Sequence, residues 1–278
     1  MADTGGGSLW ARYKRADSCL IAFTLIGSTL VIFAFLALAT ITLTQLADIP
    51  FLIQVALDSR VINAILLTFG AGLTVVFILL ILGTPLAYVL ARTHSRVNSL
   101  VEALIDIPLV LPHTVAGIMV YLLFMQRGLL GAPLKEIGIV FEDAFPGIVV
   151  AMLFVSMPFY VNTVREGFQK VPLHIENVAR TLGATRFRAF ALIVLPLSAR
   201  HILNGSVIAW GRAISEFAAV IMIAYYPMIV STLIYYRFTT GGLKESSAIA
   251  FLMIIASFSV FLVLRIATRY LGSYDDRV

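Results

Sequence analysis

Six uncharged stretches, each long enough to cross a bilayer as a helix, leave few folds open to this chain. They cover residues 20–47, 61–91, 107–126, 144–164, 217–236 and 246–264, so the shortest has 19 residues and the longest 31. A helix climbing about 1.5 Å per residue needs about 20 residues for the hydrocarbon core. The overall composition agrees. Of 278 residues, 60% are hydrophobic and only 13% charged, against about 25% charged in soluble domains. Mean hydropathy is +0.98. The expected fold class is all-α: a polytopic helical membrane protein with about six transmembrane helices, placed near 20–46, 61–90, 107–126, 146–165, 202–224 and 247–268.

The first stretch is too long for a signal peptide and no small-residue cleavage site follows it, so it is read as a retained span. Cys19 stands alone and forms no intrachain disulfide. A net charge of +5 could suit nucleic acid, but in a membrane protein basic residues set orientation, and no nucleic-acid partner is expected. Lys and Arg sort sharply between the loops. Arg12, Lys14, Arg15, Arg92, Arg96, Arg165, Lys170, Arg180, Arg186, Arg188, Arg200, Arg265, Arg269 and Arg277 fall on one side; Arg60, Arg127, Lys135, Arg237 and Lys244 fall on the other. The richer side is the cytoplasmic one, which puts both termini in the cytoplasm of a plasma-membrane protein.

This reading divides the chain into an N-terminal tail over 1–18, one permease domain over 19–271 and a C-terminal tail over 272–278. Pro85, Pro108, Pro112, Pro158 and Pro227 lie in or beside spans, where kinked or broken helices are expected because the freed carbonyls find other donors.

Several chemistries have no residues to support them. No G-x-x-x-x-G-K-[ST] cradle for nucleotide phosphates occurs, and Gly241, Gly242, Leu243 and Lys244 lack its adjacent Gly-Lys. His94, His113, His174 and His201 are scattered, with no H-E-x-x-H, so no metal or other cofactor is expected in this chain. The strong intramembrane ionisable groups are Arg212 and Glu216, four residues apart and expected on one helix face. An unpaired Arg at the bilayer centre costs at least about 2.5–3.5 kcal/mol. Arg212 and Glu216 are therefore either a buried ion pair or part of a pathway, and exchanging them is expected to leave stability largely intact. Thr114, Ser156, Ser206 and Ser231 are candidate lining hydroxyls, whose commoner role is to bond a carbonyl one turn back.

The cytoplasmic connection over 166–201 reads PLHIENVARTLGATRFRAFALIVLPL from Pro172. Leu173, Val178, Ala179 and Leu182 interleave with charges, which predicts a short amphipathic helix with Pro172 in its first turn and Gly183 as its stop. Lying on the lipid surface would explain such a helix equally well. The spacing Ala179, Gly183, Ile193, Leu195, Pro196 resembles the "EAA" loop of permease subunits of ATP-binding-cassette importers. Asn177 and Val178 stand at that motif's glutamate and first alanine, with Glu176 one residue earlier. Residues 107–131 and the stretch NGSVIAWGRAISEFAA at 204–219 are similar to permeases for molybdate, tungstate and sulfate.

That resemblance implies a type I importer with two copies of this chain, two ATPase subunits holding ATP and Mg, and an extracytoplasmic oxyanion-binding protein. The helix over 172–184 would dock on an ATPase through Glu176, Asn177, Ala179, Arg180, Gly183 and Ala184. Molybdate or tungstate is the implied cargo, with sulfate the alternative. A secondary transporter would instead need an internal repeat or acidic midplane sites, and an intramembrane enzyme a catalytic constellation; the sequence offers neither clearly.

Overall fold

A computed structural model describes residues 20–35, 38, 48–93 and 95–272, the last of them for backbone only; the tails over 1–18 and 273–278 lie outside the described residues. The described residues are helical, without strands. The chain divides into two compact units, 1–53 and 54–278. The first contains α1 (Leu20–Phe35) and the start of α2 (Ile49–Ala56).

The second unit opens with α3 (Ser59–Arg92). Asp58 caps it by accepting from the Arg60 amide at 2.8 Å. A π-turn over Leu79–Gly83 interrupts it just before Pro85, whose ring clashes with the carbonyl four residues back; a wider turn relieves that clash. The same device recurs in α9 (Arg186–Leu197), where the π-turn Phe190–Val194 precedes Pro196. Helix α9 meets α10 (Ala199–Ile214) at a bend of 71°.

The span expected over 107–126 is instead two helices, α4 (Arg96–Val110) and α5 (His113–Phe124). They part at Leu111, which is extended (φ −74°, ψ 140°) because the residue before a proline is excluded from helical geometry. After the short α6 (Gly131–Glu136), α7 (Phe145–Lys170) forms the centre of the unit. Ile148, Met152, Val155, Tyr160, Val161, Val164 and Phe168 on it are almost fully enclosed, against Ala71, Val75 and Leu79 of α3 and Ala209 and Ala213 of α10. The Thr84 and Tyr160 hydroxyls meet at 2.7 Å within that core. Small residues dominate where backbones approach, as expected where lipid supplies no hydrophobic drive between helices.

Helix α8 (Leu173–Thr181) follows α7. The span expected over 202–224 is divided as well: α10 ends at Ile214 and α11 (Ala218–Ile223) begins after a three-residue break. Helix α12 (Val230–Gly241) was not expected as a separate element. Its first amide donates to Thr68 Oγ1 at 2.9 Å, a partner 162 residues distant that no local pattern reveals. Helix α13 (Leu243–Gly272) leaves much of its apolar surface exposed. By length and composition α3, α7 and α13 are long and apolar enough to cross a bilayer, the bent pair α9/α10 adds a fourth if it is one span, and α1 and α5 are shorter apolar helices.

The α5–α11 crossing depends on Gly117. A Cβ there would stand 2.7 Å from the Ala219 Cα and 2.8 Å from its carbonyl oxygen; both are backbone atoms and neither can rotate away. Gly117→Ala is expected to destabilise the fold by about 1–3 kcal/mol through overpacking, read as a lower unfolding temperature in detergent. Unchanged stability would mean that the two helices do not meet at this residue.

Candidate functional site

Two polar clusters of the second unit hold the residues that the sequence singles out. The first is built around α8. Its end is a Schellman motif: the Gly183 amide bonds the Arg180 carbonyl at 3.1 Å and the Ala184 amide the Ala179 carbonyl at 3.0 Å. Gly183 has φ +94°, the left-handed geometry that the motif needs and glycine supplies without a Cβ penalty. Asn177, Val178, Arg180 and Gly183 are exposed, and Ala179 and Ala184 half-buried. Leu173, Val178, Leu182 and Phe187 leave apolar surface uncovered on and just beyond this helix.

Glu176 does not share that outward face. Its side chain is 7% exposed and ion-paired with Arg92, which is 12% exposed. The Tyr88 hydroxyl donates to Glu176 Oε2 at 2.8 Å, and Arg92 Nη2 donates to the Val171 carbonyl at 3.1 Å. The expectation that Glu176 faces a docking partner is therefore corrected: it ties α8 to the end of α3. Tyr88 is held by the rings of Phe190 and Phe168, 4.5 Å and 5.7 Å away between centroids. Arg92 is the first charge after the uncharged stretch 61–91; that position marks a helix end, but only the fold reveals its partner.

The second group lies where α5, α10, α11 and α12 are interrupted. Arg212 Nη2 donates to Glu216 Oε2 at 2.8 Å, and its Nη1 to Ser215 Oγ at 3.2 Å. Nη2 also stands 3.0 Å from the ring nitrogens of His113, whose Nδ1 is 3.3 Å from Glu216 Oε2. The other oxygen, Oε1, accepts from the Ala219 amide at 2.8 Å. The expected pairing of Arg212 with Glu216 is present, but not on one continuous helix face. Glu216 lies beyond the end of α10, and its carboxylate caps α11.

That cap argues against exchanging the two residues without loss, since a guanidinium at 216 would set a donor against the Ala219 donor. Ser231 Oγ donates to the Glu216 carbonyl at 3.1 Å, bracing the break from α12. Ser156 and Ser206 bond the carbonyls of Met152 and Ile202 in their own helices, and Thr114 is exposed beside His113. The sequence did not single out His113 for this site, because its partner Arg212 is 99 residues away.

At another end of the unit Arg237 bonds Asp58 at 3.1 Å and Glu245 at 2.9 Å. It lines a cavity of about 390 Å³ with Arg60, Asn63, Tyr226 and Tyr236. Among the described residues no group of three or more His, Cys, Asp or Glu side chains could hold a metal ion.

Residues 83–273 match the family described as "binding-protein-dependent transport system inner membrane component". The chain is 40% identical over 251 residues to the molybdate/tungstate transport system permease protein of Thermococcus kodakarensis, covering 90% of this chain and 96% of that protein. It is 41% identical over 216 residues to the protein of the same description from Methanocaldococcus jannaschii, covering 78% of this chain and 85% of the relative. Its fold is similar to a crystal structure of a bacterial ABC transporter involved in the import of the acidic polysaccharide alginate. That likeness has a TM-score of 0.67 at 20% identity and covers 95% of this chain and 99% of the other.

Proposed function

The chain belongs to the family of binding-protein-dependent transport system inner membrane components, and from that membership we propose that it forms the transmembrane pathway for molybdate or tungstate in an ATP-driven importer. The cargo follows from near full-length identity of about 40% to relatives described as molybdate/tungstate permeases. The working unit contains two copies of this chain, since a twofold pair is the commonest closed assembly. Two ATPase subunits hold ATP and Mg on the cytoplasmic side, and a binding protein delivers the oxyanion from outside. Both termini lie in the cytoplasm, following the excess of Lys and Arg there.

The observation that carries the coupling role is the division of labour on α8. One side bears exposed Leu173, Val178 and the following Leu182, apolar surface suited to a partner's groove. The other side is tied through Glu176 to Arg92 and Tyr88. A push on α8 therefore reaches α3 through buried, directional contacts, while the bend between α9 and α10 offers a place where the bundle changes packing. Closure of the ATPases then favours one of two arrangements of the helices, a rigid-body switch in place of a gradual deformation.

Gly183→Trp tests this role. A Cβ at Gly183 meets nothing within 4 Å, so the start of the side chain has room; the positive φ costs about 1 kcal/mol. The variant is expected to insert, fold and pair with itself, yet to lose the ATP hydrolysis that loaded binding protein stimulates in the reconstituted complex. Full stimulation in Gly183→Trp would overturn the assignment of α8 as the coupling helix.

A further inference from the structure

We propose that Arg212 and His113 form a transient site for the tetrahedral oxyanion part-way along the pathway, with Glu216 as a built-in counter-carboxylate that keeps the ion from being trapped. The inference rests on the reading of the chain as an oxyanion permease and assigns that pathway a specific stopping point.

The position follows from the helix interruptions. From Ala199 to Arg212, α10 rises about 20 Å, so Arg212 is deep within the bundle. His113 opens α5 directly after the Leu111–Pro112 break, and Ser215 lies in the break between α10 and α11. At membrane depth, non-helical backbone persists only where protein buries it or where it borders a water-filled cavity. An Arg turned to lipid is costly for the same reason. The guanidinium is nevertheless 20% exposed and the imidazole 42% exposed, so each keeps an open edge, which this proposal assigns to the pathway.

The chemistry on offer is that of donors. Both Glu216 oxygens are engaged: Oε1 by the Ala219 amide, Oε2 by Arg212 and within reach of His113. The carboxylate is 3% exposed and has no free lone pair turned outward. What remains for a passing ion is the open edge of the guanidinium and the imidazole. Ser215 is a positioning residue, accepting from Arg212 Nη1 and donating to the Arg212 carbonyl.

The N–H groups of Arg212 and His113 suit a tetrahedral oxyanion such as molybdate, tungstate or sulfate, since guanidinium and imidazole both donate to oxygen. Glu216 sets the strength. Its charge offsets that of Arg212, so the dianion is attracted without being held, the condition for conduction through a binding site.

The test uses the full complex of permease, ATPase and binding protein in liposomes, with radiolabelled tungstate as the probe. His113 is partly exposed, so substitution there spares the core. His113→Leu removes the donor and is expected to lower the uptake rate per assembled complex about tenfold, the scale of one hydrogen bond to a charged group. His113→Gln keeps an N–H donor and is expected to recover most of that loss. In the permease–ATPase complex without binding protein, Glu216→Gln is expected to retain tungstate that the wild type does not hold at the same concentration. Wild-type uptake with His113→Leu equally active, or with His113→Gln as slow as His113→Leu, would overturn the site while leaving the importer reading intact. No tungstate or molybdate uptake by the wild type would overturn that reading, and the site with it.

Discussion

Glu176→Ala is expected to destabilise the permease by about 3–5 kcal/mol, more than a surface carboxylate on a short polar helix would suggest. Glu176 and Arg92 are 7% and 12% exposed, and removing one partner of a buried pair leaves the other charge without compensation. Arg92 would keep only its bond to the Val171 carbonyl, and Tyr88 would lose its acceptor. The unfolding temperature in detergent and the amount of folded protein in the membrane measure the loss. Replacing both partners by apolar residues of similar size, Arg92→Met with Glu176→Leu, is expected to recover much of the stability, since a buried pair often does no better than hydrophobic packing. It is not expected to recover transport, because the directional tie between α8 and α3 is gone. Full transport in the double variant would show that packing alone carries the push.

The exchange Arg212→Glu with Glu216→Arg is expected to fail at folding, with a loss of about 3 kcal/mol or more. The Ala219 amide would lose its carboxylate acceptor, and a buried amide left unsatisfied costs about 1–3 kcal/mol by itself. The arginine introduced at 216 would sit in a position that is now 3% exposed, its donors facing that same amide. Glu216→Gln keeps a carbonyl oxygen for Ala219 and is expected to cost less, about 1–3 kcal/mol, because the weakened partner of Arg212 is still polar. Thermal unfolding of the two variants side by side decides the matter. An exchange variant as stable as wild type would contradict the capping role of Glu216.

The spans that the sequence predicts correctly are those whose signal is local. Helices α3, α7 and α13 coincide with uncharged stretches because hydrophobic length is a property of the stretch itself. Helix α7 continues to Lys170, since the charges at its end leave the membrane without leaving the helix. The divided spans were harder. Pro112 announced a break, but Ser215–Phe217 carries no proline or glycine, and α10 stops there because Glu216 turns to cap α11.

Helix α8 was legible through Pro172, its apolar spacing and Gly183, whose positive φ fits the helix stop read from the sequence. The inward turn of Glu176 was not legible, because Tyr88 and Arg92 are more than a whole span away in sequence. Arg212 and Glu216 stood out by being charged within an apolar region. His113, in a run that reads as one uninterrupted span, gained its role only when the fold brought its ring to Arg212.

Uptake into liposomes shows whether this chain is the oxyanion pathway of an ATP-driven importer. The permease and its ATPase are reconstituted with loaded binding protein outside and nucleotide inside, and accumulation of radiolabelled tungstate is followed over time. Accumulation is expected with ATP and Mg in the lumen, and none with a non-hydrolysable analogue or with Gly183→Trp. Uptake that proceeds without ATP and follows an imposed ion gradient would contradict the claim and place the chain among ion-coupled transporters.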